Sequence, residues 1–504
     1  DSTLTSTGGA KSTITATGGA DASGSSVAAS SAVGLDGGDG ADLLETYSVL
    51  TVNSRSTAEA FNRGNNSISF TSDTVAGSVA SADAFATGIS GGNGANSMIV
   101  DGLLDVDATS IGYGLSSSSG AEFSFDGDGE ARVRATSIAS AFGITGGDQK
   151  DHVVTDGEIT VDTFATTAKT ISTTVTVYRV IGTTDENSDE PTVETINADV
   201  LPEAGSTGYG VDTVVFWNGA DAPDDPLEVG TGSYMIVVSE LVDDDNDSET
   251  DPVLVYSWES TPRIVEEEIL IEESGFPSYA FANGNGFPDG DGFADARATA
   301  VATTYGIQLG ESDDSIENYG NITVTARADA VVHAGADGDS SGDADGTTVS
   351  RATARATGLD IGLGNNSVYN NGILNVSAIP IAQARTDVSG GDYCIWFFGW
   401  HCGAGGDGTG NAETYYIAEA TGIVADNGNN SIINEGEIRV SARPDLHFDD
   451  RLDFDYAAIV RQEDTEYFYV NSNADAYGIR VGDTDENNTI INNGTLTVSA
   501  YDLS

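Results

Sequence analysis

The chain has 504 residues, with 80 acidic against 19 basic, a formal net charge of −61 and a pI near 4.1. A surface this negative repels nucleic acid and anionic lipid, and no apolar run approaches the roughly 18 residues that a membrane-spanning helix needs. The 39% of hydrophobic residues fall in ordered alternation among 62 glycines, which points to turn-rich β structure with a core rather than a disordered polyanion.

Residues 1–31 alternate Thr, Ser, Gly and Ala (STLTSTGG, STITATGG). They read as an N-terminal strand pair or a worn repeat, a cap or a docking strand. From residue 32 a motif begins that recurs seven times, clearest at 420–442 (ATGIVADNGNNSIINEGEIRVSA). Its first glycine is Gly34, Gly88, Gly143, Gly306, Gly358, Gly422 and Gly478; its second is Gly102, Gly157, Gly320, Gly372, Gly436 and Gly494, with Ser48 in the first copy. The two positions lie 14 residues apart in six copies and 16 in the last. First glycines are separated by 54, 55, 163, 52, 64 and 56 residues, so one interval is about three ordinary ones. A core of constant length with variable material between copies signals a repeat architecture.

Each copy carries a branched apolar residue two and four positions after the second position, such as Ile322 and Val324, and an apolar residue four before it, such as Ile316 or Met98. Period-two alternation describes a strand with one buried face. Asn318, Asn370, Asn434 and Asn492 sit two residues before the second glycine and form an N-x-G turn with it, since Asn tolerates and Gly favours left-handed backbone. Ala294, Ala296, Ala298, Ala300 and Ala302 alternate into Gly306. Their spacing of two, with Thr, Asp and Arg between, predicts a strand rather than a helix. A unit this short cannot bury its apolar face alone, and stacking the copies does so. The fold class expected is therefore all-β: a parallel β-solenoid (β-helix) with long loop insertions. Three short strands per coil are expected, with Ile over Ile, Val over Val and Asn over Asn. The competing arrangement is a sandwich or barrel of hairpins.

The combination A-x-A-x-G-I with G-x-x-N-x-I-x-N-x-G-x-I-x-V-x-A resembles the repeats of autotransporter-type and related bacterial cell-surface β-helix proteins, over about two-thirds of the chain. That resemblance implies a β-helix at the cell surface, in a family that includes adhesins, proteases, toxins and passive stalks. No C-terminal membrane barrel follows TVSAYDLS and no signal peptide precedes Asp1, which reads as a processed passenger or a protein with another exit route.

Solenoid repeats are expected over 32–163 and again over 294–504. Between them, 164–293 breaks the pattern with six apolar-alternating runs, TISTTVTVYRVIG, TVETINADVL, DTVVFWNG, SYMIVVSELV, PVLVYSWES and RIVEEEILIEE. This predicts an inserted β-sandwich with core limits near 170–272; the alternative is two degenerate solenoid units. The later connection at 388–410 holds the only cysteines, Cys394 and Cys402, in DYCIWFFGWHCGAGG. Eight residues apart with no third thiol, they read as a disulfide formed outside the cytoplasm. Two free thiols or a metal pair with His401 are the alternatives, the latter being an incomplete zinc set. The ring would hold Trp396, Phe397, Phe398 and Trp400, which either fold back on the solenoid or contact a partner.

Six acidic loops space carboxylates around glycine or one another in a manner that suits Ca²⁺: Asp36, Asp39 and Asp42; Asp126 and Asp128; the DDDND stretch, taken at alternate positions 242, 244 and 246 with Asp244 at the centre; Asp289 and Asp291; Asp337, Asp339, Asp343 and Asp345; and DTDEN at 483–487. None follows the EF-hand spacing, and each can equally be a solvated turn. Only four histidines are present, with no H-E-x-x-H and no convergent constellation of catalytic groups, so no catalytic residue is named and the chain is read as a non-enzyme. The leading expectation is a secreted structural solenoid that assembles with itself into a filament or surface layer, with Ca²⁺ as cofactor. An adhesin passenger binding a receptor or glycan is the alternative, and a polysaccharide-degrading β-helix the third.

Overall fold

The computed structural model describes all residues except 1, 18–21, 66–73, 120–123, 127, 184–190, 198–212, 219–232, 243–250, 260–262, 284–285, 341–342, 390–393, 397–399, 403–407, 445–458, 461–464, 483–486 and 502–504. The chain divides into two compact units, one formed by Asp1–Lys169 with Gly275–Ser504 and the other by Thr170–Ser274.

The first unit is a parallel β-solenoid of three sheets. An alanine sheet stacks Ala22–Asp36, Thr74–Ser90, Gly129–Thr145, Gly292–Gln308, Ala344–Asp360, Gly408–Ala425 and Thr465–Val481. A short sheet stacks Leu43–Thr46, Ser97–Val100, His152–Thr155, Ser315–Asn318, Ser367–Asn370, Ser431–Asn434 and Thr489–Asn492. A valine sheet stacks Ser2–Thr17, Val49–Asn65, Leu103–Ser119, Glu158–Thr166, Asn321–Asp337, Ile373–Ser389, Glu437–Ala442 and Thr495–Ala500. Every coil runs alanine strand, short strand, valine strand. Matching motif positions are cross-strand neighbours: Val324 lies beside Val376 and Val376 beside Val440. Like residues above like is therefore a property of the pairing, and the hairpin sandwich is excluded for this unit.

One expectation needs correction. Strands of the alanine and valine sheets are long, 17 residues in most coils, where three short strands were expected. The motif covers only the start of each valine strand, whose outer half folds back along the alanine strand. Ser2–Thr17 and Ala22–Asp36 are strands of the solenoid sheets, as the strand-pair or worn-repeat reading of 1–31 has it.

The long strands face each other through small side chains. Ala298, Ala300 and Ala302 share one buried cluster with Ala326, Ala328, Ala330 and Ala334. Paired sheets with ordinary side chains stand about 10 Å apart. Alanine brings these closer, so that a hydroxyl reaches across the layer: Ser350 Oγ donates to the Ala330 carbonyl at 2.6 Å and Ser137 Oγ to the Ser110 carbonyl at 2.8 Å. Each such bond satisfies a buried polar group and contributes about 1 kcal/mol.

The first glycines are dictated by contact between coils. A Cβ at Gly358 would lie 2.5 Å from the carbonyl oxygen of Gly422 and 2.7 Å from Leu374. The same carbonyl-to-glycine contact joins Gly34 to Gly88, Gly88 to Gly143, Gly143 to Gly306 and Gly306 to Gly358. The second glycines meet the preceding coil instead: a Cβ at Gly372 would strike the Gly320 carbonyl. None of them has positive φ, so close approach and not the N-x-G turn fixes them. Left-handed backbone occurs in the other turn, at Gly38, Gly92 and Gly362 with φ of 75°, 71° and 59°. Ser48 heads the short-sheet turn of the first coil and is exposed, which removes the need for glycine there.

The second unit contains two three-stranded sheets. In one, Pro191–Asn197 pairs antiparallel with Lys169–Thr183, and Arg263–Phe276 completes it. In the other, Thr213–Asn218, Ser233–Val242 and Asp251–Glu259 pair antiparallel in that order. These six strands are the six runs read from the sequence. The insertion is narrower than 164–293, because Phe164–Thr166, Ser278–Asn283 and Gly292–Gln308 belong to solenoid strands. It also interrupts a single coil. Thr166 lies opposite Asp329 and Ser278 opposite Val332. Two residues separate the partners where 111 separate Thr166 from Ser278, so 109 are extra. Without them the 163-residue interval becomes 54, an ordinary spacing, and no degenerate coils are needed.

Replacing Gly358 by Ala should destabilise the solenoid by about 1–3 kcal/mol through overpacking against a backbone carbonyl that cannot move freely. Gly9→Ala, whose Cβ would meet nothing within 4 Å, should be neutral; equal thermal melts for the two variants would contradict the contact argument.

Candidate functional site

Two polar ladders run beside the short sheet, one along its last five rungs and one along all seven. In the first, the Asn318 amide donates to Asn370 Oδ1 at 2.6 Å, Asn370 to Asn434 at 2.6 Å and Asn434 to Asn492 at 2.7 Å. Thr155 Oγ1 begins it by donating to Asn318 Oδ1 at 2.6 Å. These Asn were read from sequence as turn formers; Asn318, Asn370 and Asn434 are buried rungs, and Asn492 is the exposed last one. The second ladder was not foreseen. Asp42, Asn96, Asp151, Asp314, Asn366 and Asn430 each direct a backbone N–H to the side-chain oxygen of the next, ending at Asn488, over 2.7–3.1 Å. A signal was present: an Asn or Asp stands two residues before the inward apolar residue in all seven copies, from Asp42 before Leu44 to Asn488 before Ile490.

Carboxylates in this second ladder are chemically unlike the amides. Asn366 and Asn430 turn their NH₂ groups to backbone carbonyls of Ile361 and Asp426 at 3.0 and 2.9 Å. An ionised carboxylate has no proton to offer there. Asp314 is 2% exposed, and its Oδ2 has no hydrogen-bond partner. Burial, with the charges of Asp151 and Asp313, raises its pKa to about 6, against opposing help from the Asp151 N–H and Lys150. Asp107, on the outer face of the valine sheet, is raised to about 6 by burial and by Asp105 and Asp162. Both groups bind a proton in the folded state at a pH where the unfolded chain has lost it. Their contribution is therefore favourable below the window between the ordinary carboxylate value and about 6, and falls as pH rises through it.

The predicted acidic loops fall at two kinds of turn. Asp36, Asp39 and Asp42 lie between the alanine and short sheets. Asp36 accepts from the Gly38 N–H at 3.3 Å, Asp39 from the Asn93 amide at 3.2 Å, and Asp42 is a rung of the ladder above. The loops at 126–129, 289–292 and 337–346 converge on another corner, between valine and alanine strands of successive coils. Asp289 is paired with Asp126 on one side and Ser340 on the other, while Gly290 is paired with Asp339. Asp128 accepts the Asp291 N–H at 3.1 Å, and Asp291 accepts the Asp343 N–H at 2.8 Å; Asp337 and Asp345 flank this column. Among the described residues no group of three or more His, Cys, Asp or Glu is placed to hold a metal ion.

The expected ligand set at positions 242, 244 and 246 needs correction. Val242 is apolar and closes the strand Ser233–Val242, so it offers no side-chain oxygen. Position 246 is Asn246, which carries an amide and no charge, and of the three only Asp244 is a carboxylate. The acidic run itself occupies 243–247. Asp244 and Asn246 lie outside the described residues, as do residues 483–486 of the last loop.

In the cysteine loop, Cys394–Trp396 and Trp400–Cys402 form a two-stranded antiparallel sheet with Cys394 opposite Cys402 and Trp396 opposite Trp400. Directly opposed positions stand about 4.5–5.5 Å apart at Cα, inside the range a disulfide spans. Phe397 and Phe398 lie outside the described residues.

The last coil differs from all others in its burial. Ile490, Leu496 and Val498 are 40–46% exposed, whereas the equivalent Ile432, Ile438 and Val440 are 0–2% exposed. At the other end Leu4 is 42% exposed against 0% for its neighbour Val52. No protein-family model, curated protein or solved structure matches the chain.

Asp314→Asn should restore the missing donor and raise the melting temperature at pH 8, by about 1–3 kcal/mol of stability, with little effect at pH 5. The parent protein should melt higher at pH 5 than at pH 8; the reverse order would contradict the proton-uptake argument.

Proposed function

We propose that this chain is a secreted structural β-solenoid of the bacterial cell surface that assembles with itself end to end into a filament or layer. The observation that carries the reading is the uncovered core at the ends of the stack. Elsewhere the coils bury Ile, Leu and Val almost completely, and covering such side chains is worth roughly 1.5–3 kcal/mol each. Among the described residues the last coil leaves three of them open, and a parallel strand edge accepts a further rung of the same register. The reading assigns no catalytic role.

The inserted unit, taken as a small β-sandwich, and the loop between Cys394 and Cys402, taken as disulfide-closed, would be carried at intervals along such an assembly. Peptide mapping without reductant should recover the two cysteines in one linked fragment; separately alkylated thiols would contradict the bond. Ca²⁺ is proposed to act as a counterion that screens carboxylates such as Asp128, Asp291 and Asp343 along the acidic corner, with no three-carboxylate coordination site among the described residues. Millimolar Ca²⁺ should raise the melting temperature and chelator should lower it; a melt indifferent to both would remove the ion from the account.

Electron microscopy and sedimentation of the purified protein test the main reading. In salt sufficient to screen the charge of −61, concentration-dependent polymers are expected. Monomeric rods at every concentration and salt would contradict it.

A further inference from the structure

We infer that copies also join side by side, the outer face of the alanine sheet of one against the outer face of the valine sheet of the next, through arginines on the first and carboxylates on the second. The join rests on the self-assembly reading and adds to it a second contact, one that builds layers.

The outer face of the alanine sheet reverses the chain's charge balance. Five exposed arginines, Arg132, Arg134, Arg297, Arg351 and Arg355, lie on three successive strands, Gly129–Thr145, Gly292–Gln308 and Ala344–Asp360, which carry four carboxylates between them. The whole chain has 80 acidic residues against 19 basic. Arg132 pairs with Glu130, Arg297 with Asp295 at 3.0 Å and Arg355 with Glu419 at 2.7 Å, while Arg351 lies over the Tyr415 ring at 4.9 Å. Arg134 has no ion pair among the described residues and stands directly opposite Arg297 on the next strand. Its neighbour on the other side is Val79, 44% exposed. Like charges directly opposite each other in a sheet are unfavourable. A carboxylate brought to both guanidiniums offsets that repulsion with charge-assisted hydrogen bonds.

The opposite face presents the complement at the same spacing. The alanine and valine sheets turn their small side chains toward each other, so their outward residues lie on opposite sides of the solenoid. On the valine side, Leu103–Ser119 and Glu158–Thr166 direct Asp105, Asp107, Glu158 and Asp162 outward and contain no basic residue. Asp107 lies directly opposite Asp162 on the next strand. Burial and the neighbouring carboxylates raise the pKa of both, that of Asp107 to about 6. Two carboxylates one rung apart thus face outward on one side and two guanidiniums one rung apart on the other, each pair about 4.8 Å from strand to strand. A copy displaced straight outward with its axis parallel sets Asp107 over Arg134 and Asp162 over Arg297. The rungs before and after then bring Asn53 over Val79 and Thr325 over Val349, with no carboxylate over another in that column. Packed sheets stand about 10 Å apart, a gap that an arginine and an aspartate span together. A second copy is the occupant because the spacing to be matched is that of a β stack, and the chain's own valine face supplies it. At 0.1 M salt, repulsion between the net charges is screened beyond about 10 Å, while groups in direct contact still attract. A join between two different faces repeats without closing, so it extends into a layer.

Full-length Arg134→Glu and Asp107→Arg proteins are prepared separately and then mixed. Each alone should lose side-by-side association, the concentration at which assemblies widen in electron micrographs rising at least tenfold. The mixture should recover it, because Asp107 of the first variant meets Arg134 of the second and the reversed pair is complementary too. A mixture no better than its components would overturn the join. Thermal melts check that both variants fold, and Asp162→Arg mixed with Arg297→Glu repeats the test one rung on. Parent filaments that stay one molecule wide would overturn the join and leave end-to-end assembly standing, whereas a parent protein that never associates would remove both. Heparin, a sulfated polysaccharide, probes the other anionic occupant. Heparin binding that Arg134→Glu abolishes, with side-by-side association unchanged, would assign the arginines to a soluble polyanion and overturn the join.

Discussion

A backbone carbonyl pressed against a bare Cα is the contact on which the solenoid depends. At the column from Gly34 to Gly478, one coil's glycine receives the next coil's glycine carbonyl while Leu or Val of the valine sheet closes in from the side. No side chain fits there, and the contact recurs only if successive coils keep one register. A one-residue slip would turn every inward residue outward. With the register fixed by glycine, identical residues become neighbours, and the Asn rungs can hand a hydrogen bond from coil to coil. Buried amides that would cost free energy singly are satisfied collectively.

The second consequence is a thin outer half of each coil. Alanine on both facing strands lets the sheets approach until Ser350 and Ser137 reach backbone carbonyls across the layer. Small side chains forfeit apolar area, and the loss is offset by hydroxyl bonds and by long, fully paired strands. The largest fully buried side chains, Ile316, Ile322 and Leu374 among them, lie at the end formed by the short sheet and the start of the valine strands. Acidic residues are left to turns and outer faces. That arrangement lets a chain of charge −61 stack, although stacking also aligns carboxylates such as Asp128, Asp291 and Asp343.

The motif columns were legible in the sequence because their spacing barely varies: 14 residues between the two framing positions in six of seven copies and two between inward apolar residues. Strand length was not, since the outer halves of the valine strands, such as Thr109–Ser119, follow no shared residue pattern. The 163-residue interval admitted both extra coils and an inserted unit, and only the pairing of Thr166 and Ser278 with one strand distinguishes them. The second ladder was written as Asn or Asp ahead of each inward residue, but a polar residue beside a Gly-rich turn looks the same whether it is solvated or buried. Burial depends on neighbours more than fifty residues away. The acidic loops were indistinguishable in sequence for the same reason, and three of them meet at one corner.

The central claim is that motif copies are rungs of one continuous parallel stack. It is tested most directly by the distance between spin labels at Asp83 and Asn473, two exposed sites on the alanine sheet. The pairing series from Asp83 through Ile138, Val301, Thr353 and Ile417 to Asn473 separates them by five strand spacings, or about 24 Å. A single narrow distribution at that distance supports the stack. A broad one, or a distance well outside it, would mean that the copies occupy separate modules.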